Sequence, residues 1–142
     1  DAPASLDASA LSDWLAQGQQ RLEAQTRQLA ANVGQSPNGD EQDDSTPWLR
    51  IDNVFFEARG TTWALAQLMQ AARIDYADAI ESSGVGADVD QLVAELESSQ
   101  ARVWSPVILN GSGFGLFANH SLMMANYTVR ASQLVEKIRN QL

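Results

Sequence analysis

Apolar side chains return every third or fourth position along most of this chain, the spacing that lines up one face of an α-helix. In the first segment Leu11, Trp14, Leu15, Leu22, Leu29 and Val33 form such a stripe, with Gly18 and Gln25 in the same seam. The spacing predicts a helix over 5–33. Ser5 or Asp7 can cap it by accepting from a free first-turn amide, and Gly34 supplies the left-handed stop. A second periodic segment is predicted over 47–81, opened by Pro47, whose missing N–H is no loss in a first turn. Its broad stripe comprises Val54, Ala58, Thr61, Leu65, Leu68, Met69, Ala72, Tyr76 and Ala79. At ~100° per residue, Asp52, Phe56, Arg59 and Trp63 fall together on the opposite side. Two aromatics there mean a helix covered on both sides, or one that presents a contact surface. Gly60, between them in rotation, permits close approach of another backbone.

A third helix is predicted over 88–104. Asp88 and Gln91 stand at the capping-box offset, Val89, Leu92, Val93 and Leu96 give the stripe, and Pro106 disfavours helix in the residue before it. The fourth is predicted over 116–141, with Leu116, His120, Met123, Tyr127, Ala131, Leu134 and Ile138 at spacings of three and four. The segment Val107 to Leu109 is too short to build a sheet. The fold expected is therefore all-α, an antiparallel bundle of about four helices forming one domain over 1–142, with a Gly-rich connector at 105–115 before the last helix.

Between the first two helices, 34–46 holds Pro37, two glycines, four acids and no apolar side chain, the composition of a solvated loop. Asp40, Asp43 and Asp44 invite comparison with a calcium loop, but the alternating ligands and closing Glu of an EF-hand are missing.

Composition narrows the function classes. At 142 residues, 44% hydrophobic and 19% charged, the chain can bury a core without staples. No apolar run approaches the ~20 residues of a membrane span. With no cysteine, disulfides, thiol redox chemistry and Cys-based zinc sites are excluded. A formal charge of −9, with nine scattered basic residues, argues against nucleic acid and anionic membrane surfaces as partners. The opening residues, DAPASLDASAL, carry neither the basic segment nor the apolar block of a signal peptide, so any export address is expected upstream.

Candidate chemistry is confined to three places. Gly111, Ser112, Gly113 and Gly115 run toward a helix N-terminus, where backbone amides can cradle an anion. Their alternation fits neither the dinucleotide fingerprint nor the Walker loop, and Phe114 and Phe117 suit a connector tucked between helices. His120, the one histidine, titrates near neutrality and can act as a base if a partner orients it. Ser112 and Ser121 are near it in sequence only, and a packing histidine on a helix seam is the plainer reading. In WLRIDNVFFEARG, Asp52 and Glu57 sit ~140° apart, so they do not converge as an acid/base pair. Arg59 is expected to pair with an acid and clamp two helices. No metal-ligand set and no cofactor motif is present.

Three stretches, DWLAQGQQRLEAQTRQLAANVGQ (13–35), WLRIDNVFFEARGTTWAL (48–65) and SPVILNGSGFGLFANHSLMMANY (105–127), resemble the C-terminal part of a bacterial family, domain of unknown function 2333. The resemblance implies a larger protein, mainly of Gram-negative bacteria, with an N-terminal membrane helix and a further segment ahead of this part, which it places in the periplasm. It brings no activity, cofactor or catalytic residue. The expected function is a non-enzymatic interaction or scaffold domain of the cell envelope, its partner being another protein or the preceding part of the same one. Its contact residues are expected among Asp52, Phe56, Arg59 and Trp63. The alternative is a small-ligand or hydrolytic site built from the Gly111–Gly115 loop, His120 and Arg59.

Overall fold

A computed structural model of the chain describes residues 7–31, 47–100 and 120–142. Among these, every regular element is an α-helix: α1 (Ala8–Ala31), α2 (Pro47–Asp75), α3 (Ala77–Ser82), α4 (Gly86–Ser98) and α5 (His120–Arg139). The all-α expectation holds. The acidic loop at 34–46 and the Gly-rich connector at 105–115 lie outside the described residues.

Side-chain bonds fix the directions of the four long helices. Along α1, Ser12 and Gln19 meet Arg139, Glu23 meets Ser132, and Thr26 meets Thr128, so α5 runs antiparallel to α1. Gly18 stands against Leu65 and Gln25 reaches Thr61, while Leu29 shares a cluster with Phe55 and Ala58, so α2 is antiparallel to α1 as well. Thr62 lies against Ser99 and Arg73 against Asp90, while Glu95 faces Arg130 and Asp88 faces Lys137, which sets α4 antiparallel to both α2 and α5. The result is an up-down-up-down bundle in which α1 and α4 each pack between α2 and α5.

The main core joins Leu11, Leu15 and Leu22 of α1, Leu65 and Met69 of α2, Ile80, Val85, Val89, Leu92 and Leu96 around α3 and α4, and Ala131, Val135 and Ile138 of α5. Burying each large apolar side chain contributes ~1.5–3 kcal/mol. The buried face is not quite the one hydropathy suggests. On α2, Phe55, Thr62 and Ala66 point inward, whereas Leu68 is exposed; on α5, Ser121, Met124, Thr128 and Ser132 are buried and Met123 is exposed. The hydroxyls of Thr62, Thr128 and Ser132 find partners inside, so the stripe read from apolar residues alone lands about one position off.

Three predicted boundaries move. Asp7 caps α1, its carboxylate accepting from the Ser9 amide at 3.1 Å and the Ser9 hydroxyl at 2.6 Å. Those bonds hold the Asp7 carboxyl below its usual range. The single helix expected over 47–81 is interrupted at Tyr76, whose ψ of 24° departs from helical geometry. The break turns α3 so that Ile80 closes the base of the core. The third helix starts at Gly86 and ends at Ser98 where 88–104 was expected. Asp88 therefore sits inside its first turn, where it favours the helix dipole and accepts from Lys137 at 2.7 Å, and does not form a capping box.

The reversal between α3 and α4 is a Schellman motif. The Val85 amide donates to the Ile80 carbonyl and the Gly84 amide to the Glu81 carbonyl, while the buried side chains of Val85 and Ile80 supply the accompanying apolar contact. Gly84 takes φ +71°, a conformation that Ala resists. Gly60 is different: it lies mid-helix, and a Cβ built there meets nothing within 4 Å. Gly84→Ala is expected to destabilise the chain by ~1 kcal/mol or more, and Gly60→Ala to stabilise the monomer by ~0.5–1 kcal/mol through helix propensity and a less flexible unfolded chain. Urea denaturation of the two variants beside wild type reads both signs.

Candidate functional site

The outer side of α2 is where the fold leaves apolar surface open. With its inward stripe committed to the core, Phe56, Trp63 and Ile74 project to solvent at 54%, 57% and 78% exposure. Spaced seven and eleven residues apart, they line up as one ridge along the helix. Beside the ridge, toward α1, runs an open groove of about 490 Å³. Its α2 wall runs from Glu57 through the small residues Gly60, Thr61 and Ala64 to Leu65 and the half-exposed Leu68; α1 contributes Trp14, Gln17, Gly18 and Arg21. Among the described residues, the polar contacts that bridge α1 and α2 along this side are the exposed Arg21–Glu57 pair at 3.6 Å and the bond from the Gln25 amide to Thr61 Oγ1 at 2.7 Å. An exposed ion pair at that distance contributes ~0–1 kcal/mol, so the groove is a shallow, weakly braced surface.

Arg59 belongs to a different environment. Its guanidinium leaves the ridge and donates to the Gln100 carbonyl at 2.9 Å, while the Gln100 side-chain amide donates back to the Arg59 carbonyl at 3.0 Å. A clamp between helices was expected with an acid; among the described residues the partner is the carbonyl just past the end of α4, where a cation compensates the negative helix terminus. The same Gln100 amide lies 2.8 Å from Thr62 Oγ1, which also accepts from Ser99. On the other side of the bundle, Thr26 and Thr128 share a hydroxyl hydrogen bond of 2.7 Å. Together with Gln25 and Thr61 these side chains form a polar layer crossing all four long helices at one height. Above it lies a smaller apolar cluster of Leu29, Phe55, Ala58, Met124 and Ala125. Only Gln25 and Thr61 were visible in the apolar pattern, as polar residues occupying core positions; Ser99, Gln100 and Thr128 gave no signal of their own.

A family model described as "Uncharacterized protein conserved in bacteria (DUF2333)" matches residues 6–142, nearly the whole chain. The chain belongs to this family. No curated protein and no solved structure shows a match to it.

In this DUF2333 domain the stretch 48–65 does three separate jobs. Phe55 goes inward, Arg59 and Thr62 enter the polar layer, and Phe56, Gly60 and Trp63 face out. Asp52 is placed on the second turn of α2. Gly111, Ser112 and Gly113 lie outside the described residues, so the structure does not bring the glycine loop and His120 together or hold them apart. His120 opens the described part of α5, half-buried, with its ring 6.2 Å from that of Phe55. Neither it nor Arg59 lines the α1/α2 groove. Among the described residues, no group of three or more acids or histidines is placed to hold a metal ion, and no helix is long and apolar enough to cross a membrane.

Desolvation lowers the His120 pKa from its ordinary value near 6.5. Below that value the unfolded chain binds more protons than the folded one, so the His120 contribution to stability is complete above about pH 6.5 and declines as pH falls through the folded pKa. Urea midpoints measured from about pH 8 to about pH 5 should therefore fall more for wild type than for His120→Gln.

Proposed function

We propose that this DUF2333 domain is a non-enzymatic docking module of a cell-envelope protein, working on the periplasmic side of the inner membrane. The observation that carries the reading is the division of α2 into a core face and an aromatic outer face. Exposed Phe and Trp beside a groove of small side chains are the ingredients of an interface hot spot, where rigid aromatic side chains fill a complementary pocket. The same helix carries no ionisable side chain from Gly60 to Ala72, in a chain whose net charge is −9. This uncharged middle, bordered in the groove by the Arg21–Glu57 pair, suits contact with protein, where charged groups are depleted at the centre of interfaces. The periplasmic placement rests on the family resemblance alone.

The test is crosslinking and capture of the full-length protein from membranes, comparing wild type with a Phe56→Ala/Trp63→Ala variant. Both side chains are more than half exposed, so the variant should unfold within ~0.5–1 kcal/mol of wild type. Its capture of partners should fall at least ~tenfold, since hot-spot truncations of this kind remove 1.4 kcal/mol or more. Equal capture by the two proteins would remove the outer face of α2 from the function.

A further inference from the structure

Resting on that docking reading, we infer that the occupant of the outer face of α2 is a second copy of this chain, packed side by side and parallel about a two-fold axis running along the helix. The ridge and the groove lie next to each other on one helix and at the same height. Trp63 stands beside Gly60 and Ala64, a large side chain flanked by a shelf of small ones. A two-fold axis along α2, between ridge and groove, carries the ridge of each copy onto the groove of the other, so that every Trp63 meets its partner's Gly60–Ala64 shelf. An isologous contact of this kind needs only one self-complementary patch. Gly60 fits it. Glycine weakens a helix interior, and within the described chain nothing approaches its Cβ position; an incoming indole uses the space.

Charge selects the parallel arrangement. Helix α1 carries Asp13 and Glu23 against Arg21 and Arg27, and α2 balances Asp52, Glu57 and Asp75 with Arg50, Arg59 and Arg73, so each of these two helices is net neutral. The acids of the other described helices concentrate on α3 and α4: of Asp78, Glu81, Asp88, Asp90, Glu95 and Glu97, Asp90 is answered by Arg73, and Asp88 and Glu95 by Lys137 and Arg130 of α5, which leaves the surplus on Asp78, Glu81 and Glu97. Arg73–Asp90 and Gln70–Glu97 place α4 on the ridge side of α2, and Arg21–Glu57 places α1 on the groove side. An antiparallel two-fold would set the two acidic α4 helices on the same edge. The parallel one sets each α4 beside the partner's neutral α1, where the groove holds Arg21 together with Glu57, its ion-pair partner.

The area is that of a weak dimer. Phe56, Trp63, Ile74 and Leu68 leave on the order of 400 Å² open per copy. That is about half the ~800 Å² per partner of a standard interface, the groove supplying the rest. Association is expected to be concentration-dependent, with a dissociation constant on the order of micromolar to tens of micromolar.

Sedimentation velocity of the 142-residue chain over a concentration series should show a reversible monomer–dimer exchange. Trp63→Ala should weaken it at least ~tenfold, and Gly60→Leu, which fills the shelf from a position with free space around it, should do the same while the monomer stays folded by circular dichroism. Because the chain has no cysteine, Gln67→Cys gives a clean reading of direction. A parallel pair brings identical residues level and forms the homodisulfide, whereas preferential crosslinking of mixed Phe56→Cys and Ile74→Cys proteins would report an antiparallel pair and overturn the arrangement. A monomer at every concentration up to the solubility limit, or a dimer indifferent to both Trp63→Ala and Gly60→Leu, overturns self-docking. If another protein is still captured through Phe56 and Trp63 in that case, self-docking fails while the docking reading survives.

Discussion

Leu92→Ala should destabilise the chain by ~2–5 kcal/mol, the range for removing a fully enclosed leucine from a well-packed site. Leu92 has no exposed surface and sits on α4 where the main core is shared most widely, with residues of all the other described helices in the same cluster. Collapse around the lost methyls is hindered because its neighbours belong to different helices, each held by its own bonds. Arg73–Asp90 and Lys137–Asp88 tether α4 at its start, and the Arg59–Gln100 exchange tethers it at its end. The lost transfer free energy therefore adds to that of a retained cavity. For a chain of 142 residues, each kcal/mol lowers the melting temperature by about 4 °C, so a fall of ~8–20 °C is expected. Leu68→Ala is the control on the outer side of α2: half-exposed in the monomer, it should shift the midpoint by under ~1 kcal/mol. Comparable losses at the two positions would mean that the assignment of inner and outer faces on this bundle is wrong.

The helices and their kind were legible because their apolar stripes are long. Leu11, Leu15, Leu22 and Leu29 mark the face of α1 with no competing reading, and all four are buried. The stripe of α5 was harder to read because the bundle buries Ser121, Thr128 and Ser132 there, and a hydroxyl inside a protein looks the same in sequence as one in water. Thr128 is buried because Thr26 stands opposite it, a pairing across a hundred positions that no local pattern carries. The break at Tyr76 was hidden for a related reason. Helical periodicity continues through it, and the interruption comes from the need to close the base of the core with Ile80 before Gly84 reverses the chain.

The outer face was legible in part. Phe56 and Trp63 stood out by falling opposite the main stripe, and both are exposed. Arg59, read on the same side, reaches round to α4 because a guanidinium on a three-carbon stem can span the distance that its Cα position does not. The groove was not legible: it depends on the separation of α1 and α2, and of its apolar lips Trp14 also packs against the main core, as its place in the stripe implies, while Leu68 does not. Gly18, also read as a seam residue, turns out to border open space with Leu65 3.5 Å from its Cβ position.

Phe55→Ala should remove ~3–5 kcal/mol from the structure above the polar layer, with a much smaller effect below it. Phe55 is the largest side chain of the upper cluster and contacts His120 across the gap to α5. Among the described residues that cluster is small, and the layer beneath it is held by hydrogen bonds of Gln25 with Thr61, Ser99 with Thr62 and Thr26 with Thr128, so few apolar contacts couple it to the main core. Regions with few buried apolar contacts open independently of the rest and at lower free energy. Native-state hydrogen exchange tests this directly. In Phe55→Ala, amides near Leu29 and Met124 should lose protection by two or more orders of magnitude, about 1.4 kcal/mol for each tenfold, while amides near Leu15, Leu92 and Val135 stay close to wild type. Equal loss of protection at both ends would mean that the hydroxyl layer transmits packing as well as an apolar core does, and that the bundle opens as one unit.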